Sequence, residues 1–148
     1  MTQVFVMNSF AKTPEGGNPA GVVLNSHFKE EKMLKIASKA GFSETAFLNK
    51  IDDSHYEIRF FTPVAEVDLC GHATIASFAL LEKQGCICDG DYFLLTKAGE
   101  IEIKVSCGNI FMTQKLPEFF DVIEKEEILP CFGLKESELA KDLPVQVI

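Results

Sequence analysis

The chain has 148 residues, of which 47% are hydrophobic and 24% are charged, a composition typical of a globular protein with a real core. Its formal net charge of −8 argues against binding a nucleic-acid backbone, which requires clustered Lys and Arg. The sequence shows no signal peptide and no run of about 18 apolar residues that could cross a membrane. Five cysteines, an odd number without an export signal, indicate reduced thiols. We therefore expect a cytoplasmic protein with neither a membrane nor a nucleic-acid partner.

Turn residues and apolar runs predict strands on both sides of a first helix. The segments QVFVMNSF and AGVVLN are strand-like and flank a loop rich in turn formers. The helix that follows is amphipathic, since its apolar residues recur at helical spacing: Met33, Ile36, Ala37 and Ala40. Asn25 or Ser26 could cap its start, and Gly41 stands where it would end. TAFLNKI and YEIRFFTP then predict two further strands.

An uncharged stretch at residues 72–81 opens a second helix that runs to Lys83. It is apolar on nearly every side, and such a helix must be covered on every side. After it, YFLLTKAGEIEIKVSCGNIFMTQKL predicts three strands, the middle one with Ile101, Ile103 and Val105 on its buried face. The predicted fold class is α+β. A curved, mostly antiparallel sheet of about seven strands, a half-barrel, wraps around the central apolar helix Gly71–Lys83.

The tail of the chain has a different character. From Pro117 onward it is acidic, and the acidic residues at positions 124–127 are typical of a solvated helix face. A short helix is predicted around residues 137–141, and the final DLPVQVI is strand-like. We therefore predict an N-terminal domain at residues 1–116, followed at residues 117–148 by a linker and the start of a missing second domain.

The segment CGHAT lies where a strand gives way to the apolar helix. The first turn of a helix carries unpaired N–H groups and partial positive charge, so Gly71, His72 and Ala73 could hold a carboxylate or phosphate. The alternative is an ordinary glycine-opened helix in which His72 is a satisfied polar residue. Cys70 also has two interpretations. A thiol beside a helix N-terminus can become a base or nucleophile, but a lone cysteine next to Leu69 is more often a small buried hydrophobe.

Two other segments could contribute to a site. In GFSETAF, Glu44 lies between Phe42 and Phe47, and a carboxyl group in such surroundings suits general acid or base chemistry. The sequence Ser-Glu-Thr after a helix-ending glycine is also common in ordinary loops, so spacing alone does not decide between the two interpretations. In EGGNPAGVVL, Asn18 could line a ligand, although the loop lacks the residues of a phosphate loop. Metal binding is not predicted, because the cysteine pair in CICD has one intervening residue and no matching second pair.

The segments GGNPAGVVL, FSETAF and RFFTPVAEVDLCGHATIASFALL, in this order, resemble the N-terminal half of the PhzF-like (phenazine-biosynthesis-like) family. The resemblance covers about residues 4–116. It implies a diaminopimelate-epimerase-like fold of two similar halves, each a curved sheet around a central helix. It also implies an isomerase without metal or organic cofactor that acts on a small carboxylate-bearing substrate. Glu44 would shuttle the proton, and Gly71 and His72 would help to hold the substrate carboxylate.

The resemblance leaves three functional alternatives, of which the isomerase is the first. Nothing in the chain matches the family's second half, so we expect little activity from this chain alone. A homodimer or pairing with a separate second half would complete the site. Cys-Gly-His also resembles the motif of proline-racemase-like relatives, which makes a cysteine-dependent racemase or epimerase using Cys70 the second hypothesis. The third is a non-catalytic binding or assembly half-domain.

Overall fold

The computed structural model describes residues 2–13 and 16–147. The chain forms two compact units, Met1–Thr113 and Gln114–Ile148. No helix in the described ranges is long and apolar enough to span a membrane.

The first unit is built on one curved sheet. Its described residues form eight strands: β1 (Phe5–Ser9), β2 (Asn18–Leu24), β3 (Thr45–Lys50), β4 (His55–Phe61), β5 (Glu66–Val67), β6 (Gly90–Thr96), β7 (Gly99–Ser106) and β8 (Asn109–Met112). The strand order is β1-β2-β3-β4-β6-β7-β8, with β5 paired to β4. The pairs β2–β3 and β4–β6 are parallel, and the other pairs are antiparallel. The sheet is therefore mostly antiparallel, as predicted, and the two-residue β5 is the strand that the sequence pattern missed.

The helix α2 (Gly71–Lys83) occupies the inside of the curve. It packs against β1, β2, β3 and β8, so strands from both ends of the sheet contact it. Its buried residues lie around most of its circumference: Ala73, Thr74, Ala76, Ser77, Phe78, Leu80 and Leu81. They join the inward side chains of the sheet in one core. The predicted fold class, a half-barrel around an apolar helix, is confirmed.

The helix α1 (Glu30–Ala40) covers the outer face of the sheet. Its buried Met33 and Ala37 pack in a second core with Val23, Phe47 and Phe61. Because neighbouring strand residues face opposite ways, β3 contributes to both cores and is buried on both sides.

The predicted ends of α1 were half right. Gly41 ends the helix in a left-handed conformation with φ 72°, as expected. The predicted cap at Asn25 or Ser26 is wrong, because the helix begins at Glu30 with Lys29 in the cap position. The backbones of both residues instead form hydrogen bonds with β3. The Asn25 N–H donates to the Leu48 carbonyl at 2.8 Å, and the Ser26 carbonyl accepts from Asn49 at 3.3 Å.

The second unit contains α3 (Lys125–Phe132) and a single 3₁₀ turn at Glu136–Glu138 among its described residues. The acidic side of α3 is exposed, as predicted. The helix predicted around residues 137–141 is wrong, since only the 3₁₀ turn forms there. The strand predicted in DLPVQVI reduces to one bridge between Val122 and Gln146. Pro144 has no N–H to donate to a ladder, which limits strand pairing at this point.

An ion pair fixes the short strand that leads into α2. Arg59 on β4 contacts both carboxylate oxygens of Glu66 on β5, at 2.6 and 2.8 Å. The same guanidinium donates to Glu30 of α1 at 2.8 Å. The hydrogen bonds from Arg59 lower the pKa of Glu66, whose side chain is only 12% exposed. The pair thus anchors the chain four residues before Cys70.

We expect Glu66→Gln to destabilise the first unit in a pH-dependent way. The carboxylate has a lower pKa in the folded than in the unfolded chain, so it contributes stability above the unfolded value of 4.5. That contribution is lost as the pH falls through the lower folded pKa. Urea unfolding of wild type and variant should therefore differ at neutral pH and converge in acid. Glu100→Gln, at an exposed carboxylate without an ion pair in the described chain, is the matched control. A difference of constant size across this pH range would contradict the assignment.

Candidate active site at the N-terminus of the central helix

The residues at the start of α2, Cys70, Gly71 and His72, are partly exposed. Cys70 is the N-cap residue in an extended conformation, and it makes no side-chain capping hydrogen bond. The first turn contains no acidic residue, so its partial positive charge is not neutralised within the helix. The Ser9 hydroxyl donates to the His72 carbonyl at 2.6 Å, which ties this turn to the end of β1. The first turn of the helix is therefore held in place by β1.

Glu44 reaches the same place from the sheet. It immediately precedes β3, whose inward residues Ala46 and Leu48 belong to the core around α2. Side chains two residues apart share a face, so Glu44 also points inward. Its backbone carbonyl accepts from the Gly21 N–H at 3.1 Å, which extends the β2–β3 pairing to this residue. The carboxylate is 23% exposed.

The imidazole of His72 lies between Glu44 and Cys70. Its Nε2 is 3.5 Å from Oε2 of Glu44, and its Nδ1 is 3.2 Å from Sγ of Cys70. The first separation suits an electrostatic contact and exceeds the length of a good hydrogen bond. Nε2 is buried and has no hydrogen-bond partner among the described residues. A thiol, an imidazole and a carboxylate thus form a compact cluster at the helix N-terminus.

Burial raises the pKa of the Cys70 thiol, and the nearby Glu44 carboxylate raises it further. The N–H groups of Ala73 and His72 act in the opposite direction but do not reverse the shift. Cys70 is therefore a neutral thiol near pH 7 and not an activated thiolate.

The remaining predicted site residues lie at this end of the helix. Gly71 is half-buried beside Met112 of β8, and Ala73 is fully buried. Asn18 is exposed and pairs in register with Ser9, so these two side chains share a face of the sheet. The residue before it, Gly17, has φ 86°, and a Cβ there would lie 2.5 Å from the Ser9 carbonyl oxygen. Only glycine can make this turn and present Asn18.

The structure adds two residues that the sequence analysis missed. Ser9 anchors the first turn of α2, and Met112 packs beside Gly71. Met112 ends a predicted strand, but nothing in its neighbourhood in the sequence points to the site. Ser9 likewise carries no motif, and only the three-dimensional fold brings it to His72.

Glu44, Cys70 and His72 each offer one possible ligand atom within 4.8 Å of the others. A divalent cation is nevertheless a poor fit here. The positive end of the α2 dipole disfavours a cation, and a thiol with a raised pKa is not in the deprotonated form that binds metal. The helix dipole by itself favours an anion at this end of α2.

The curved sheet, the enclosed apolar helix and the carboxylate at the helix N-terminus define one half of a diaminopimelate-epimerase-like fold. The fold is shared with a solved hydroxyproline epimerase from Agrobacterium vitis, at TM-score 0.57 and 13% identity over 76% of this chain and 41% of that one. A solved PhzF-family phenazine biosynthesis protein from Bacillus anthracis is much more similar. It gives TM-score 0.84 and 36% identity over 97% of this chain and 50% of that one.

The family model described as phenazine biosynthesis-like protein matches residues 7–148, and the chain belongs to this family. The uncharacterized isomerase YfhB of Bacillus subtilis is 37% identical over 97% of this chain and 51% of its own length. The uncharacterized isomerase YddE of Escherichia coli is 35% identical over 98% of this chain and 52% of its own. The chain therefore spans about half the length of the curated relatives it matches. The resemblance found in the sequence is confirmed, and the family match extends beyond residue 116 to residue 148.

Proposed function

We propose that this chain is the proton-transferring half of a cofactor-independent isomerase that acts on a small carboxylate-bearing substrate. The observation that carries the proposal is the position of the Glu44 carboxylate, 3.5 Å from His72 at the N-terminus of α2. A proton carrier and an anion-holding helix end thus occupy the same small region. Membership of a family whose curated relatives are named isomerases supports the reaction class.

Each residue has a role in this proposal. Glu44, as the carboxylate, would remove a proton from one substrate carbon and, as the acid, return it to another, so the double bond moves without any net gain or loss of atoms. The N–H groups of Gly71, His72 and Ala73 would hold the substrate carboxylate. Asn18 would line the approach to the cleft. Acid–base chemistry of this kind needs neither a metal nor an organic cofactor, because one side chain carries the proton in both steps.

The Glu44 side chain is 23% exposed in this chain, and we propose that a second lobe covers it. The half-length match to the relatives supports this, since the chain covers 51% of YfhB. The second lobe would be either a separate second half or another copy of this chain in a homodimer. Closure would exclude water and strengthen the electrostatic contacts of the substrate.

Cys70 supports a second candidate, a cysteine-dependent racemase or epimerase, because its sulfur lies in the same cluster as His72 and Glu44. Its raised pKa makes this the weaker candidate, since the thiolate is the reactive form. Alkylation of Cys70 separates the two: turnover that survives alkylation and is lost in Glu44→Gln favours the isomerase. The third candidate is a binding or assembly half-domain. A complete absence of turnover in every assembly tested would favour it.

Solvent-deuterium uptake tests the proposal. Small unsaturated carboxylates are incubated in D₂O with this chain alone and with this chain plus the separately expressed second half of YfhB. We expect deuterium at carbon in at least one compound with the mixture and little with the monomeric chain alone, measured by mass spectrometry and NMR. Light scattering on the same samples gives the mass of the active assembly. Uptake that is equal with and without protein, for all compounds and both samples, would overturn the proposal.

A further inference from the structure

We infer that Cys70 is a positioning residue: its thiol donates to Nδ1 of His72 and fixes the imidazole in the tautomer that carries its proton on Nε2, facing Glu44. This concerns the site of the proposed function. The position of the proton can nevertheless be measured without turnover.

Both partners of the contact are held by their backbones. The Cys70 carbonyl accepts from the Thr74 N–H at 3.0 Å and from the Thr74 hydroxyl at 2.8 Å. The His72 carbonyl accepts from Ser9 at 2.6 Å. The separation of 3.2 Å between Sγ and Nδ1 is within hydrogen-bond reach for sulfur. The thiol and the ring are therefore kept together by the fold.

The chemistry of the two groups decides which atom carries the proton. A neutral thiol can donate its S–H, and the raised pKa of Cys70 keeps the thiol neutral near pH 7. Sulfur is a weaker acceptor than an imidazole nitrogen, so the better arrangement has the thiol donating to Nδ1, and a neutral imidazole that accepts at Nδ1 has its proton on Nε2.

The other side of the ring leads independently to the same tautomer. Nε2 is buried and faces the Glu44 carboxylate at 3.5 Å. An N–H there attracts the carboxylate, whereas a nitrogen lone pair would repel it. The result is a donor directed at the Glu44 carboxylate. The position of this proton is determined by Cys70, which need take no chemical part in the reaction.

His55 provides an internal reference in which Nδ1 faces acceptors. Its Nδ1 is 2.9 Å from Oδ1 of Asp52 and 3.1 Å from the Ser54 hydroxyl. Hydrogen bonds from the Ser54 backbone and the His55 ring, the two largest causes, lower the pKa of Asp52 to about 2. This side chain is therefore an ionised acceptor at neutral pH, and His55 must carry a proton on Nδ1.

The test is a long-range ¹H–¹⁵N spectrum of the histidine rings at neutral pH. The chain has three histidines, and His72→Gln identifies the signals of His72 by their loss. We expect His72 with unprotonated Nδ1 and protonated Nε2, and His55 with protonated Nδ1. A protonated Nδ1 on His72 in the wild-type chain would overturn the inference.

Variants at position 70 test the role of the thiol. Cys70→Ala should move the two His72 nitrogen shifts toward each other, as the ring becomes a mixture of tautomers. Cys70→Ser, which keeps a donor, should preserve the wild-type pattern, and Cys86→Ala, at an exposed cysteine, should change nothing. Unchanged His72 signals in a folded Cys70→Ala variant would contradict the inference. If that variant does not fold, the wild-type spectrum decides. Because no step uses turnover, this inference and the proposed reaction can fail separately.

Discussion

Glu44→Gln is expected to lower the rate of deuterium uptake roughly 10²–10⁴-fold, the range that a positioned acid or base contributes. Glutamine has nearly the same shape as glutamate but cannot accept and return a proton. Its side-chain oxygen can still face Nε2 of His72, so the geometry of the site is preserved. The rate of solvent-deuterium uptake in the completed assembly is the measurement, with the substrate that the wild-type protein identifies.

Glu57→Gln is the matched control, because Glu57 is an exposed carboxylate on β4 away from the helix end. It should retain the wild-type rate. A Glu44→Gln variant that folds, binds the substrate and keeps its rate within a few-fold of wild type would remove Glu44 from the mechanism.

Phe78→Ala is expected to destabilise the first unit by about 3–5 kcal/mol, the usual result of truncating a fully buried phenylalanine. The Phe78 ring is completely buried on α2, with centroids 5.6 Å from Tyr56 and 6.1 Å from Tyr92. Its removal leaves a cavity between the helix and the sheet. A loss of this size is a large fraction of the stability of an ordinary domain, about 5–15 kcal/mol.

Urea unfolding followed by tyrosine fluorescence measures this loss well. The chain has no tryptophan, and its two tyrosines are the two that contact Phe78. The control is Phe111→Ala, since Phe111 is 56% exposed on β8 and should contribute less than about 1 kcal/mol. Equal losses in the two variants would mean that α2 is not the centre of the core.

The fold could be predicted largely because hydrophobic patterning has a direct structural meaning. A helix that is apolar on every side has to be enclosed, and the alternating β7 supplies one buried face. Both expectations hold in the structure. The missed β5 has two residues and no pattern of its own. It forms because Arg59 holds Glu66 against β4.

The site was less accessible from the sequence. The chemistry of Glu44 and the residues at the start of α2 could be identified from local motifs. Their proximity depends on the parallel register that pairs Gly21 with Thr45, which no short-range pattern specifies. The prediction of the α1 cap was wrong for a related reason. Asn25 and Ser26 have suitable cap side chains, but their backbones are used by β3.

The central helix connects β4 to the parallel β6, so it is made before the last three strands of the sheet. During synthesis β1, β2 and β3 can already pack on it, while the contact with β8 has to wait for the end of the first unit. A nascent chain that has emerged only as far as α2 therefore exposes an apolar face of this helix to solvent or to a chaperone. The hairpin of β7 and β8 covers this face last. A chain that stops before the hairpin would therefore be prone to aggregate.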